Sequence, residues 1–198
     1  MAAETKRKKI TDVRVLAALA HPTRLSILRL LLAVGERTAT QCAAVVGESS
    51  PSSCSYHLRH LERFGLVERV EAGQHDKVDG RTRRWRSVAT GFDFGELHKT
   101  GSPELVAATG ALISIGIQEN VRLSRHYLSH LDEVPEAWQS ASCFTNYALL
   151  VNVDELRKVV DAIEAIVRPL RGVVRDDAPA DALPVHLLLE AFPRTDLA

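Results

Sequence analysis

The feature that most constrains this chain is a succession of short helical patterns between residues 11 and 65, each ended by a helix breaker. Apolar residues recur with helical spacing from Val13 to Ala20, and His21-Pro22 then interrupts the pattern. Proline suits the first position of a new helix, which we predict to continue to Gly35. Closely spaced helices of this kind predict a mostly helical domain.

Two further helices are predicted, one from about residues 38–40 to Gly47 and the next from Ser50 to Gly65. Ser50 is a favourable N-cap, and the proline that follows it suits the first helical position. On this fourth helix an inner face is predicted from spacings of four and three residues, consisting of Cys54, Leu58 and Leu61. Its start and opposite face carry the polar and basic residues Ser52, Ser53, Ser55, Tyr56, Arg59 and Arg63.

After Gly65 the pattern changes to two short β-rich runs, at about 66–71 and 82–88. The polar segment between them contains Gly73, Asp79 and Gly80, which predicts a β-hairpin with a long tip. Basic residues are concentrated on this hairpin, and the candidates for nucleic-acid contact are Lys77, Arg81, Arg83 and Arg84.

The predicted order of elements is that of a winged helix-turn-helix: three short helices, a fourth helix after a tight turn, and then a hairpin. Small polar side chains at the start of the fourth helix would let it enter a major groove and read base edges, and arginine would reach guanine or phosphate. The basic hairpin would lie along the phosphate backbone or in the minor groove. The predicted partner is therefore double-stranded DNA.

The C-terminal half has a different pattern, and we predict one long helix over about 104–131. A strand is predicted at 144–151, an amphipathic helix from Asn152 to about 170, and a second strand at 185–192. Parallel and antiparallel pairing of the two strands both stay open. The fold class predicted is α+β: mostly α with a small β component. It comprises a basic tail over 1–10, the winged domain over 11–90, a linker over 91–102 and a dimerisation and effector-sensing domain over 103–198.

Charge and composition narrow the class of protein. Residues 1–100 contain 17 Lys/Arg and 11 Asp/Glu, whereas residues 101–198 contain 8 and 14, so a basic half precedes an acidic one. The basic start has no apolar run behind it, and no stretch of 18 apolar residues occurs, which predicts a cytoplasmic protein without a membrane partner. None of the common catalytic or nucleotide-binding motifs occurs, so we expect no enzyme and no cofactor.

The segments LAALAHPTRLSILRLLL, TATQCAAVVG, SPSSCSYHLRHLERFGLVERV and GRTRRWRSV resemble the ArsR-type winged helix-turn-helix regulators. The match covers about residues 11–90, and the tripeptide at 191–193 resembles the end of a subgroup with a long helix and a closing strand. The resemblance implies a homodimeric transcription factor on an inverted-repeat operator, usually a repressor that an effector releases. Here the effector would be an unidentified small molecule.

The metal sites of that family are incomplete here. The two thiolate positions correspond to Ala43 and Val45, and the second site retains only His130 and Glu133, with His126 one turn before. Two histidines on one helix do not close a metal site, so we expect no metal. The alternatives that stay open are a metal- or thiol-responsive repressor of the same fold, and a small-molecule-binding enzyme with an appended winged domain.

Single residues outside the motifs also carry expectations. Cys54 is expected in the core and Trp85 as an anchor of the hairpin. Arg24 is expected to form a structural ion pair, and His57 is expected either to pack inside or to touch a phosphate.

Overall fold

The structure is a computed structural model that describes residues 8–47, 50–70, 83–93, 102–172, 175 and 177–197. The chain divides into two compact units. The first comprises Met1–Glu119 and Arg171–Val185, and the second comprises Asn120–Leu170 and His186–Ala198.

The first unit contains four helices between residues 13 and 63, which confirm the prediction for this region. They are α1 (Val13–Leu19), α2 (Pro22–Val34), α3 (Ala39–Val46) and α4 (Pro51–Arg63). Their boundaries follow from local chemistry, because Asp12 caps α1, Thr38 and Gln41 form a capping box on α3, and Ser50 caps α4. Gly35 ends α2 with φ 72°, a backbone angle that other residues rarely adopt. No described helix is by itself long and apolar enough to cross a membrane; α1 and α2 pass that test only as a pair bent by 91°.

The first unit also contains a three-stranded antiparallel sheet in the order β2, β4, β3, of which β2 lies between α2 and α3 in the chain. Its strands are β2 (Arg37–Thr38), β3 (Val67–Val70) and β4 (Arg84–Ser87). The pairing of Val67 with Ser87 and of Val70 with Arg84 confirms the two strands of the predicted hairpin. The predicted tip, with Gly73, Asp79 and Gly80, lies outside the described residues.

The core of the first unit lies between the helices and this sheet. Its fully buried side chains are Leu16, Leu19, Ile27, Leu28, Leu31, Cys42, Cys54, Leu58, Leu61, Leu66 and Val67. Burial of one large aliphatic side chain contributes about 1.5–3 kcal/mol, so these residues dominate the stability of the domain. The expected core position of Cys54 is confirmed by its 0% exposure.

The described residues of the predicted basic tail and of the predicted linker include one short strand each. Lys8–Lys9 (β1) pairs in parallel with Phe92–Asp93 (β5). The Lys8 Nζ donates a hydrogen bond to the Gly65 carbonyl oxygen at 2.8 Å. Ile10, next to β1, and Phe92, in β5, are both buried in the core. The two short strands therefore connect the first and last residues of the winged region to that core.

The predicted long helix is confirmed as α5 (Pro103–Ser129). Within the first unit, Leu112 is 3% exposed and belongs to the core, and Leu105, Ala108 and Ile115 pack against that core. The Ser26 hydroxyl of α2 donates to the Glu119 carboxylate at 2.9 Å. The first part of α5 is therefore an integral part of the first unit.

For the C-terminal segments, the predicted amphipathic helix is confirmed and the prediction of two strands is wrong. Asn152 and Glu155 form the capping box that begins α7 (Val153–Val167), and a short helix α6 (Glu136–Ala141) precedes it. Residues 144–151 and 185–192 contain no strand and are exposed throughout. An apolar segment becomes a strand only when another strand supplies its backbone hydrogen bonds, and the described part of the second unit supplies none.

Candidate nucleic-acid interface

Helix α4 is held with one face in the core and the other towards solvent. The Ser50 hydroxyl accepts a hydrogen bond from the Ser53 backbone N–H at 3.1 Å, which fixes the start of the helix. Cys54, Leu58 and Leu61 are 0% exposed, as their spacing predicted. The same spacing leaves the opposite face available for a ligand.

We call the outer face of α4 the surface formed by Ser52, Ser55, Tyr56, Arg59 and Arg63. Ser52, Tyr56, Arg59 and Arg63 are exposed, and Ser55 is half-buried. Tyr56 has 60% of its surface exposed. Ser53, also predicted as a site residue, is half-buried at the helix start.

The charge of the outer face is positive because no carboxylate belongs to it. The one acidic residue of α4, Glu62, accepts a hydrogen bond from the Arg69 guanidinium of β3 at 2.8 Å and is therefore neutralised locally. Arg59 Nε donates to the Ser55 carbonyl oxygen at 3.1 Å, which directs this side chain along the helix. Hydroxyl groups thus precede arginines along one exposed stripe.

The hairpin places its own basic residues at the start of β4. Arg83 and Arg84 are exposed, whereas Lys77 and Arg81 lie outside the described residues. The expectation that Trp85 anchors the hairpin is confirmed, because its side chain is 4% exposed and lies in the core. The Arg69 guanidinium lies 5.1 Å from its ring centroid.

Arg86, on the same strand, forms ion pairs with two carboxylates. Its Nε donates to the Glu68 carboxylate at 2.7 Å, and its guanidinium lies 3.9 Å from the Glu36 carboxylate. Arg86 is therefore engaged in ion pairs with carboxylates of the hairpin and of the segment before β2.

A basic cluster that sequence reasoning did not assemble lies beside the outer face. The ring centroids of His21 and His57 are 4.8 Å apart, and those of Tyr56 and His57 are 5.4 Å apart. The expected ion pair of Arg24 is wrong, since its Nε is buried without a hydrogen-bond partner and no carboxylate contributes to its pKa, which burial lowers. A His-Pro-x-Arg sequence at a helix start is the only signal that could have indicated this cluster.

Cys42 and Cys54 are free thiols buried in the core. Burial raises the pKa of Cys42 to about 11, with a further contribution from nearby Cys54, and burial also raises the pKa of Cys54. Since the thiolate is the reactive form, a raised pKa suppresses both oxidation and alkylation. Cys143 is exposed.

We therefore expect only one of the three cysteines to react with a thiol reagent in the folded protein. Cys143 should react at the rate of an unstructured thiol, and Cys42 and Cys54 should react only after denaturation. Mass spectrometry after timed alkylation, with Cys143→Ser as the control, measures this. Rapid native labelling in the Cys143→Ser variant would contradict it.

His126 in the last turn of α5 and His130, just after the helix, lie close together. The rings of His126 and His130 are 4.2 Å apart, and His130 Nδ1 lies 2.8 Å from the His126 carbonyl oxygen. Among the described residues, no three histidine, cysteine or acidic side chains are grouped so as to hold a metal.

Comparison with known proteins matches residues 19–70 to the family described as "Helix-turn-helix domain". A solved structure described as a possible transcriptional regulator for arsenical resistance is 31% identical to this chain, covering 59% of this chain and 97% of its own, with a TM-score of 0.32. No curated protein matches the chain. The matched region contains the whole of α2, β2, α3, α4 and β3, and the paired strand β4 completes the hairpin. The N-terminal part of this chain therefore contains a helix-turn-helix domain, and the paired strands β3 and β4 make it a winged helix-turn-helix.

Proposed function

We propose that this chain is a sequence-specific DNA-binding transcriptional regulator that inserts α4 into the major groove. The observation that carries the proposal is the outer face of α4, which combines serine hydroxyl groups, an exposed tyrosine and two exposed arginines without a carboxylate. Short polar side chains near the helix start permit close approach to base edges. Arginine is the residue that most often recognises guanine, through two parallel hydrogen bonds.

The hairpin has a second part in this proposal. Arg83 and Arg84, together with Lys77 and Arg81, hold the phosphate backbone or the minor groove. Such contacts position a protein on DNA but carry little sequence information. Substitutions in the hairpin should therefore weaken binding to all DNA sequences alike, whereas substitutions on the outer face of α4 should alter base preference.

The regulator acts as a homodimer in this proposal, and α5 supports it. Its exposed apolar residues are Val106, Ile113, Ile117, Val121 and Leu128. At 100° per residue these five lie within one 80° sector of the helix, opposite the side on which Leu112 is buried. An apolar stripe of this length on an exposed helix face is typical of an interface with another chain.

Exposed apolar residues of the second unit are a separate argument for a partner chain. Phe144, Tyr147, Leu150, Leu187 and Phe192 are all more than half exposed. No hydrophobic side chain in the described part of this unit is buried. A unit without an apolar core gains too little from folding to offset its loss of conformational entropy, so a second copy is needed to cover it.

Selection of bound DNA from a random pool tests the proposed function directly. A homodimer with one α4 per subunit should enrich an inverted repeat whose half-sites are about one helical turn apart. Failure to enrich any sequence, at low salt and with folded protein, would overturn the proposal. Repression and the small-molecule effector stay predictions from the resemblance, and release of the selected DNA by candidate ligands tests them.

Replacement of Arg59 by alanine should reduce affinity for the selected DNA by about 1–3 kcal/mol and relax the preference at one base pair of each half-site. The physical reason is the loss of a two-point contact to a base. Gel-shift titration against single-base variants of the site measures both effects. Arg14→Ala is the matched control, because it removes the same charge from α1, where Arg14 is paired with Asp12. An unchanged base preference in Arg59→Ala would refute this assignment.

A further inference from the structure

The basic cluster beside the outer face of α4 consists of His21, Arg24, Tyr56, His57 and His60. His21 is the N-cap of α2 and Arg24 lies in its first turn, whereas the other three belong to α4. The ring contacts run from His21 to His57 at 4.8 Å, from Tyr56 to His57 at 5.4 Å and from Tyr56 to His60 at 6.3 Å. The cluster is therefore continuous from the start of α2 to the exposed face of α4.

Among the described residues, no carboxylate compensates the positive charge of this cluster. Burial and the Arg24 charge lower the pKa of His21, and burial, His21, Arg24 and His60 lower the pKa of His57. The pKa of His60 is lowered by burial and by Arg24, Arg63 and His21. None of the groups that act on these histidines is a carboxylate, and Asp12 at the adjacent α1 is bonded to Arg14. An unpaired, partly buried cation is costly, and an anion would relieve that cost.

The geometry also favours an anion. The helix α2 has 13 residues, and the positive end of its dipole lies at His21 and Pro22. The side chain of His21 makes no capping hydrogen bond to the first turn. The Nδ1 atoms of His21 and His57 and the Nε of Arg24 are buried without partners, and His57 is only 9% exposed. Buried polar atoms without partners are uncommon in native proteins and need a physical explanation.

We propose that Arg24 and His21 at the start of α2, supported from behind by His57, form a seat for one phosphate of the DNA backbone. The seat lies next to Tyr56, so a duplex that follows the outer face of α4 passes over it. This inference rests on the proposed function and adds residues to it that the hairpin and α4 do not include. Its ligand chemistry is a phosphate monoanion, as in a phosphodiester.

The phosphate seat couples DNA binding to protons. A phosphate beside His21 and His57 favours their charged forms, so the complex binds more protons than the free protein does near neutral pH. Affinity for DNA therefore rises as the pH falls through the ordinary histidine range. The free domain has the opposite dependence, because histidines whose pKa is lowered in the folded state make folding less favourable as the pH falls below 6.5.

The test uses the full chain, a 30-base-pair duplex of random sequence and Arg24→Gln, with Arg14→Gln as the matched control. Arg24→Gln should weaken binding about tenfold and reduce the slope of log K against log salt by about one unit. Arg14→Gln should retain the wild-type slope. Arg24→Lys should recover most of the slope, because the charge remains at the site.

Thermal unfolding separates this role from a structural one. If Arg24 has no partner in the free protein, Arg24→Gln should not lower the melting temperature, whereas loss of a structural contact would lower it. His21→Asn keeps a favourable N-cap and should flatten the rise in affinity between about pH 7.5 and pH 6. An unchanged salt slope in a folded Arg24→Gln protein overturns the phosphate seat, and a destabilised one assigns Arg24 to folding instead.

A second experiment uses inorganic phosphate as the probe of the phosphate seat. In the free protein it should shift the imidazole NMR signals of His21 and His57, and Arg24→Gln should abolish these shifts. Shifts with inorganic phosphate combined with an unchanged DNA salt slope would mean a free-anion site and overturn the backbone assignment. If Arg59→Ala weakens DNA binding and Arg24→Gln does not, the proposed function stands and the seat fails. If the wild-type chain binds no duplex, both fail.

Discussion

Replacement of Trp85 by alanine should lower the free energy of unfolding of the first unit by about 3–5 kcal/mol. Trp85 is 4% exposed and stands opposite Arg37 of β2 and Arg69 of β3, so it fills the centre of the small sheet. Small domains are stable by about 5–15 kcal/mol, which makes this loss about a fifth of the total or more. Urea unfolding followed by circular dichroism measures it.

Arg83→Ala is the matched control for this prediction. Arg83 is exposed and lies two residues before Trp85, and surface substitutions usually change stability by no more than about 0.5 kcal/mol. Trp85→Ala should therefore remove the buried side chain that anchors the hairpin, whereas Arg83→Ala should remove only a surface charge. A loss below about 1 kcal/mol in Trp85→Ala would show that the sheet does not depend on this side chain.

The four helices of the winged domain were predictable because each has its own local signals. Ser50 with Pro51 begins α4, and apolar residues at helical spacing define its inner face. The strands β1, β2 and β5 were not predicted, since two residues carry no periodicity and their pairing depends on the tertiary structure. The sequence could indicate helix boundaries but not which distant segment would meet β4.

The candidate interface was predictable in part for the same reason. A helix face follows from spacing, and the structure exposes Ser52, Tyr56 and Arg59 as expected. An ion pair requires a partner from elsewhere in the chain, and no rule of spacing shows whether an acidic residue reaches Arg24. The basic cluster around His21 and His57 joins two helices, so it became visible only with the fold.

The predicted strands at 144–151 and 185–192 show the limit of pattern reading. Their composition is that of strands, with Tyr147, Leu149 and Val151 alternating along one segment. Strand formation also needs a pairing edge, which sequence pattern alone does not locate. Their exposure in a single chain is what the proposed dimer accounts for.

The largest effect on function is expected from breaking the stripe on α5. The double substitution Ile113→Glu and Ile117→Glu places two charges on residues that are 42% and 47% exposed in the single chain and would be buried between two chains. The variant should sediment as a monomer. Two joined domains bind an inverted repeat through a raised effective concentration, so its affinity for the selected operator should fall by about 10²–10⁴-fold.

Substitution is a sharper test here than truncation. A chain cut before α5 would also lose Leu112, which is 3% exposed and belongs to the core of the first unit, so lower affinity could reflect unfolding. The matched control is Ala111→Glu, which adds a charge to the same helix at an exposed position outside the stripe. Sedimentation and gel-shift titration of both variants decide between the possibilities. A monomeric wild-type chain, or a double variant that stays dimeric with unchanged operator affinity, would place the dimer contact elsewhere and separate α5 from DNA binding.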